Sequence, residues 1–238
     1  MILTVKREDY KMNIEILHMI EGAKKAKGVT VVIDVFRAFS VEAYFFASGA
    51  KEIIPVGDKD IAYKLKAEHP DYILAGEREG KILPGFDVGN SPADVLKLDC
   101  KGKTVVHTTS AGTQGIANAV DADEVLGGSL VNAKAIAEYI KRKNPENVSL
   151  VCMGLMATAQ TEEDNLCAAY IKSLIEGTTI DMEKEVESLK YTSGAKFFDK
   201  AQNSVFPEAD FGLCTEVDKF DFVMRMENGV MKKITPNK

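Results

Sequence analysis

The chain has no excess of positive charge: 30 Lys and Arg stand against 36 Asp and Glu, a net charge of -6. Binding to nucleic acid or to an anionic membrane needs a basic footprint, so its absence argues against both and leaves room only for a local anion site. No apolar run approaches the roughly 18 residues of a membrane span, and Lys6, Arg7, Glu8 and Asp9 stand where a secretion signal would place its apolar region. A cytoplasmic protein is expected. The four cysteines, Cys100, Cys152, Cys167 and Cys214, are isolated and lack Cys-x-x-Cys spacing, so they read as reduced packing residues. The phosphate loop Gly-x-x-x-x-Gly-Lys-Ser/Thr, the Gly-x-Gly-x-x-Gly fingerprint, the His-Glu-x-x-His zinc motif and the Gly-x-Ser-x-Gly elbow are all missing. The three histidines lie far apart; only His107 is placed for chemistry, and a hydrogen-bonding role suits it better. No low-complexity segment and no Pro-, Gly- or Ser-rich linker divides the 238 residues, so one domain is expected.

What is present is an α/β pattern. Apolar β-branched runs at 30–35, 52–56, 72–75, 104–107, 124–126 and 148–153 predict strands, and helical patterns at 40–48, 58–69, 92–98, 113–119, 132–143 and 162–176 lie between most of them. That alternation predicts a mainly parallel sheet with helices on both faces. In 220–234 the pattern changes to alternation around Asn228-Gly229, which predicts an antiparallel hairpin at one end of the sheet. Segments of about 30–75 and 104–153 read as a faint βαβ duplication, although buried parallel strands all look alike. If the strands before Asp34 and His107 share one parallel sheet, the segments 34–40 and 107–113 leave from the same carboxyl edge, where ligand crevices of open α/β sheets sit.

Asp34 ends an apolar strand, and Arg37 and Ser40 follow at the turn. A carboxylate there can ligate a metal or attack a phosphoryl group, and an arginine can hold an anion; an ion pair at a strand end is the plainer alternative. His107-Thr108-Thr109-Ser110-Ala111-Gly112-Thr113 joins a strand to a helix with four hydroxyls, as an anion cradle needs and as an ordinary N-cap loop also prefers. Thr161-Glu162-Glu163-Asp164 opens a helix, either as a capping box or as the source of an oxygen ligand to Mg²⁺ from Glu163 or Asp164. Glu77 and Arg78 follow a strand directly and should stand at the same edge. They begin a loop, 76–92, too long for a mere connection, in which Phe86 anchors to the core and Asn90 faces the ligand.

Several of these segments, Val31-Val32-Ile33-Asp34-Val35-Phe36-Arg37-Ala38-Phe39-Ser40, Ala75-Gly76-Glu77-Arg78, Gly85-Phe86-Asp87-Val88-Gly89-Asn90-Ser91-Pro92, Thr108-Thr109-Ser110-Ala111-Gly112-Thr113 and Glu163-Asp164-Asn165-Leu166-Cys167-Ala168, resemble the 2-phosphosulfolactate phosphatase family. The Gly-Phe-Asp-x-Gly-Asn-Ser-Pro segment combined with the Asp-x-x-Arg-Ala strand end is the specific part. The resemblance implies a three-layer α/β/α fold and a Mg²⁺-dependent hydrolase that converts 2-phosphosulfolactate to 3-sulfolactate and phosphate on the route to coenzyme M. On that reading Asp34, Glu77 and Asp164 hold Mg²⁺, with Arg37 and Arg78 on the phosphate and sulfonate. Ser40, Asn90, Thr108, Thr109, Ser110, Gly112 and Thr113 complete the anion site. Either water or Asp34 is the nucleophile. The partner is a small phosphorylated sulfonate; self-association into a homo-oligomer stays open. Two other readings remain: a phosphatase for another small acidic phosphomonoester, and a non-catalytic anion-binding protein.

Overall fold

The structure, a computed structural model, describes residues 12–235. The charged stretch at 6–9, read above against a secretion signal, lies outside the described residues. All six expected strands form: β2 (Gly28–Ile33), β3 (Glu52–Pro55), β4 (Ile73–Arg78), β6 (Thr104–Thr108), β7 (Ala122–Gly128) and β8 (Asn147–Cys152). So do the six helices α2 (Ala38–Ala47), α3 (Lys59–Glu68), α4 (Pro92–Val95), α5 (Gly112–Asn118), α6 (Ala133–Lys143) and α7 (Glu162–Glu176). The hairpin is β9 (Val223–Glu227) and β10 (Val230–Ile234), and both turn residues, Asn228 and Gly229, take the positive φ of a type I′ turn. Unforeseen were β1 (Asn13–His18), α1 (Met19–Lys25), the two-residue β5 (Lys81–Ile82), α8 (Met182–Leu189) and α9 (Glu208–Thr215).

The strands join in the order β1-β8-β2-β7-β9-β10-β3-β6-β4-β5. The hairpin therefore sits in the middle of the sheet, not at one end as its sequence suggested. Val223, Met224 and Met231 are fully buried, so the hairpin faces protein on both sides, and alternation alone cannot reveal the neighbouring strands. It separates two parallel groups, β1-β8-β2-β7 and β3-β6-β4, which it meets through antiparallel pairings only. Three antiparallel steps make the groups run in opposite senses, so β2 and β6 do not belong to one parallel set. Their carboxyl ends nevertheless meet. A twist of about 20–25° per strand pair accumulates to roughly 100° over the five pairings between them.

Side chains alternate across each strand. From β2, Val32 joins the central apolar cluster, whereas Val29, Val31 and Ile33 pack with α6 and α7. From β6, Val105 points to the central cluster and Val106 to α3. The centre is α2, where nine residues, Ala38 to Phe46, are buried. A helix buried on every side belongs in the interior, its two polar side chains Ser40 and Glu42 being hydrogen-bonded there, and each of Phe39, Phe45 and Phe46 contributes about 1.5–3 kcal/mol by leaving water. Helices thus cover both faces of the sheet, and α2 packs against inward side chains of both strand groups. All four cysteines are buried and free. No helix among the described residues is long and apolar enough to cross a membrane.

Candidate active site

Where the two groups converge, a cavity of about 140 Å³ opens, lined by Asp34, Arg37, Glu77, Asn90, Ser110 and Glu163 among others. Asp34 leaves β2 and accepts the Ala38 amide at 3.1 Å, which ties it to the first turn of α2. Across from it, a Cβ at Gly112 would lie 2.6 Å from the Ala38 Cβ and 3.0 Å from Asp34 Oδ2, so only glycine lets α5 begin here. Burial first, then the charges of Glu163 and Glu77, push the Asp34 carboxyl up to about 6.

Glu77, at the end of β4, reaches over to the β6–α5 loop. Its Oε1 accepts the Ser110 amide at 2.7 Å, and its Oε2 accepts the Gly80 amide at 2.6 Å and the Ser110 hydroxyl at 3.2 Å. Arg37 is buried, with an ion pair of 2.6 Å to Asp210 and its guanidinium 4.9 Å from the Phe206 ring centroid.

The acids at the start of α7 divide differently from the expectation. Asp164 accepts the Val35 and Gly154 amides, each at 2.8 Å, and so clamps the ends of β2 and β8 together outside the cavity wall. Glu163 faces the cavity, and its Oε2 is buried without a hydrogen-bond partner among the described residues. The expected capping box does not form, since Thr161 makes no side-chain cap hydrogen bond; consecutive helix residues point about 100° apart, so one acid turns to the strand ends and the other to the cavity. Burial raises the pKa of both.

The remaining expected residues scatter. Asn90 lines the cavity with its Oδ1 buried and unpartnered among the described residues, and Ser110 lines it too. Ser40 does not: it donates to the Val35 carbonyl at 2.8 Å and touches Ser129. Thr109 and Thr113 bond each other, the Thr109 amide donating to Thr113 Oγ1 at 2.9 Å, so these hydroxyls serve the loop itself. Arg78 donates to the Glu77 and Gly57 carbonyls and to Thr108 Oγ1, and lines an adjoining open groove instead. His107 pairs with Glu42 at 2.9 Å, both fully buried and away from the cavity.

Residues 193–210 were not read as part of a site, yet they supply Lys196, Phe206 and Asp210. The one signal was the aromatic density of Phe197, Phe198, Phe206 and Phe211 around a lysine.

A sequence profile described as 2-phosphosulpholactate phosphatase matches residues 15–229. The chain belongs to this family. Relatives include a probable 2-phosphosulfolactate phosphatase of Bacillus subtilis (strain 168), 34% identical over 84% of this chain and 87% of its own. A second, of the same description, from Clostridium tetani (strain Massachusetts / E88) is 33% identical over 93% of this chain and 100% of its own. A third, from Caldanaerobacter subterraneus subsp. tengcongensis (strain DSM 15242 / JCM 11007 / NBRC 100824 / MB4), is 32% identical over 87% and 91%.

In this member of the family, no three Asp, Glu, His or Cys among the described residues stand close enough to hold a metal by themselves. The cavity instead offers oxygen donors only, from Asp34, Glu77, Glu163 and Asn90, two of them with buried orphan oxygens. That donor set fits a hard cation that keeps some waters and takes further ligands from a substrate phosphate.

Proposed function

We propose that the chain hydrolyses 2-phosphosulfolactate to 3-sulfolactate and phosphate, as a Mg²⁺-dependent step of coenzyme M-type synthesis in the cytoplasm. The observation that carries this reading is that one small cavity is lined both by carboxylates (Asp34, Glu77, Glu163) and by the cations Arg37 and Lys196. Such a site suits a substrate with several acid groups.

Asp34 and Glu163 are the residues that would hold Mg²⁺, with Glu77 beside them. Bound there, the ion would neutralise phosphoryl charge and orient the attacking water. The chain's own part is positioning and charge stabilisation, which dominate phosphoryl transfer. Asp34 lines the same cavity and is placed to accept a proton from the water. Arg37, fixed by Asp210, faces the negative charge of the ester, and Glu77 holds Ser110 against the same space. Phosphate release from 2-phosphosulfolactate, lost on EDTA treatment, restored by Mg²⁺ and abolished in Asp34→Asn, is the expected result. Release that survives both changes would remove the metal-and-Asp34 mechanism.

A further inference from the structure

Lys196 lies in a short turn of 3₁₀ helix, Ala195–Phe198, and lines the cavity. Three rings surround its ammonium: the centroids of Phe206, Phe36 and Phe197 lie 5.2, 5.6 and 5.6 Å from Nζ. Among the described residues it closes no ion pair and donates no hydrogen bond, although an ammonium carries three donors. The other cations nearby are already engaged: Arg37 by Asp210, Arg78 by two carbonyls and a hydroxyl. Burial is the chief opponent of the charge on Lys196; Glu163 favours it, Arg37 opposes it, and Asp34 and Asp164 favour it less.

We propose that Lys196 is the specificity-determining residue of this site, holding a sulfonate on the substrate while the phosphoryl group faces Asp34 and Glu163. Three features suit that ligand. A sulfonate, like a phosphoryl group, presents three equivalent acceptor oxygens to the three donors of an ammonium, and hydration separates the two. The aromatic collar leaves Nζ partly desolvated, so a weakly hydrated anion gains more there than a strongly hydrated one, which is costlier to strip. An anion between Lys196 and Arg37 relieves their mutual repulsion.

The assignment rests on the proposed phosphatase reaction, and the test separates the two. The full chain with Mg²⁺ is assayed on 2-phosphosulfolactate, on 2-phospholactate, which has the carboxylate but no sulfonate, and on 2-phosphooxyethanesulfonate, which has the reverse. In Lys196→Gln the kcat/KM ratio of either sulfonate over 2-phospholactate should fall about 10- to 100-fold, the worth of one charge-assisted hydrogen bond, chiefly through KM. Lys196→Arg, which keeps a cation over the rings, should retain most of the ratio. An unchanged ratio, or a loss of kcat equal on all three esters, overturns the assignment. So does a KM loss on 2-phospholactate that spares 2-phosphooxyethanesulfonate, since the lysine would then hold the carboxylate. A wild-type chain that turns over none of them overturns the functional reading instead. Calorimetry still decides for Lys196 in that case: 3-sulfolactate binding should weaken about tenfold or more in Lys196→Gln relative to lactate, and equal weakening sinks it.

Discussion

Arg37 and Asp210 form an ion pair of 2.6 Å, and both side chains are shielded from water, at 3% and 0% exposure. Asp210 uses its other oxygen for the Ser91 hydroxyl at 2.9 Å and the Ala93 amide at 3.0 Å. One carboxylate of α9 thus fixes a cavity arginine and the start of α4 at once. Removing one partner of a buried pair strands the other charge, which costs about 3–5 kcal/mol. Asp210→Ala should lose that much in urea unfolding. A loss below about 1 kcal/mol, the range of surface pairs, would mean that water reaches Arg37.

The two acids that open α7 should separate by phenotype. Asp164→Asn leaves an amide NH₂ facing the Val35 or Gly154 N–H, and a buried donor without an acceptor costs about 1–3 kcal/mol. Its chief effect should be a lowered melting temperature. Glu163→Gln keeps the fold and should weaken Mg²⁺ binding, read by titration calorimetry, together with turnover. The opposite assignment of phenotypes would return the metal to Asp164.

Asp34 makes a pH prediction with a definite sign. Its folded pKa of about 6 lies above the ordinary 3.8, so the unfolded chain releases this proton first as pH rises. Folding stability from this group is therefore lost between about pH 3.8 and 6, by about 3 kcal/mol. Glu163 and Asp164, also raised by burial, act in the same sense. Exposed carboxylates lowered by lysine neighbours, such as Glu21, act oppositely and are screened by solvent. In EDTA, Asp34→Asn should gain stability over wild type as pH rises from 4 to 7. A constant difference in melting temperature across that range would contradict the burial argument.

The long loop after β4 should divide in the same manner. Phe86 packs edge-on against Tyr63, with centroids 5.4 Å apart, and joins Leu74 and Val106 in the cluster under α3. Phe86→Ala should cost about 3–5 kcal/mol with kcat largely kept by the folded fraction. Glu77→Gln should lower kcat in protein that still folds, at a cost of about 1–3 kcal/mol because an amide NH₂ then faces the Ser110 or Gly80 N–H. If Phe86→Ala abolished turnover in fully folded protein, the loop could not be a wall on one side and a site on the other.

How much of this was readable beforehand follows from what a pattern encodes. Val31 to Ile33 announced a buried strand because β-branched runs bury on both faces, and Asp34 stood out because a carboxylate ends that run. The same local logic placed Glu77 and Arg78 at a strand end. It could not show that the Arg78 guanidinium turns to Gly57 and Thr108, or that Thr109 and Thr113 satisfy each other, since those are choices of rotamer. It placed the hairpin by its turn residues yet not its neighbours, which depend on contacts some hundred residues away. Lys196 went unseen for the same reason: its setting is made by Phe36, 160 positions earlier in the sequence.

The hairpin's central position also orders events in time. Asp34 belongs to one strand group and Glu77 to the other, and within the sheet only β9 and β10 join the groups. On a ribosome either group can start to pair while residue 234 is still unmade, but the seam between them cannot close. A nascent chain stopped short of Val223 would therefore carry Asp34 and Glu77 on two strand groups that share α2 but have no strand between them.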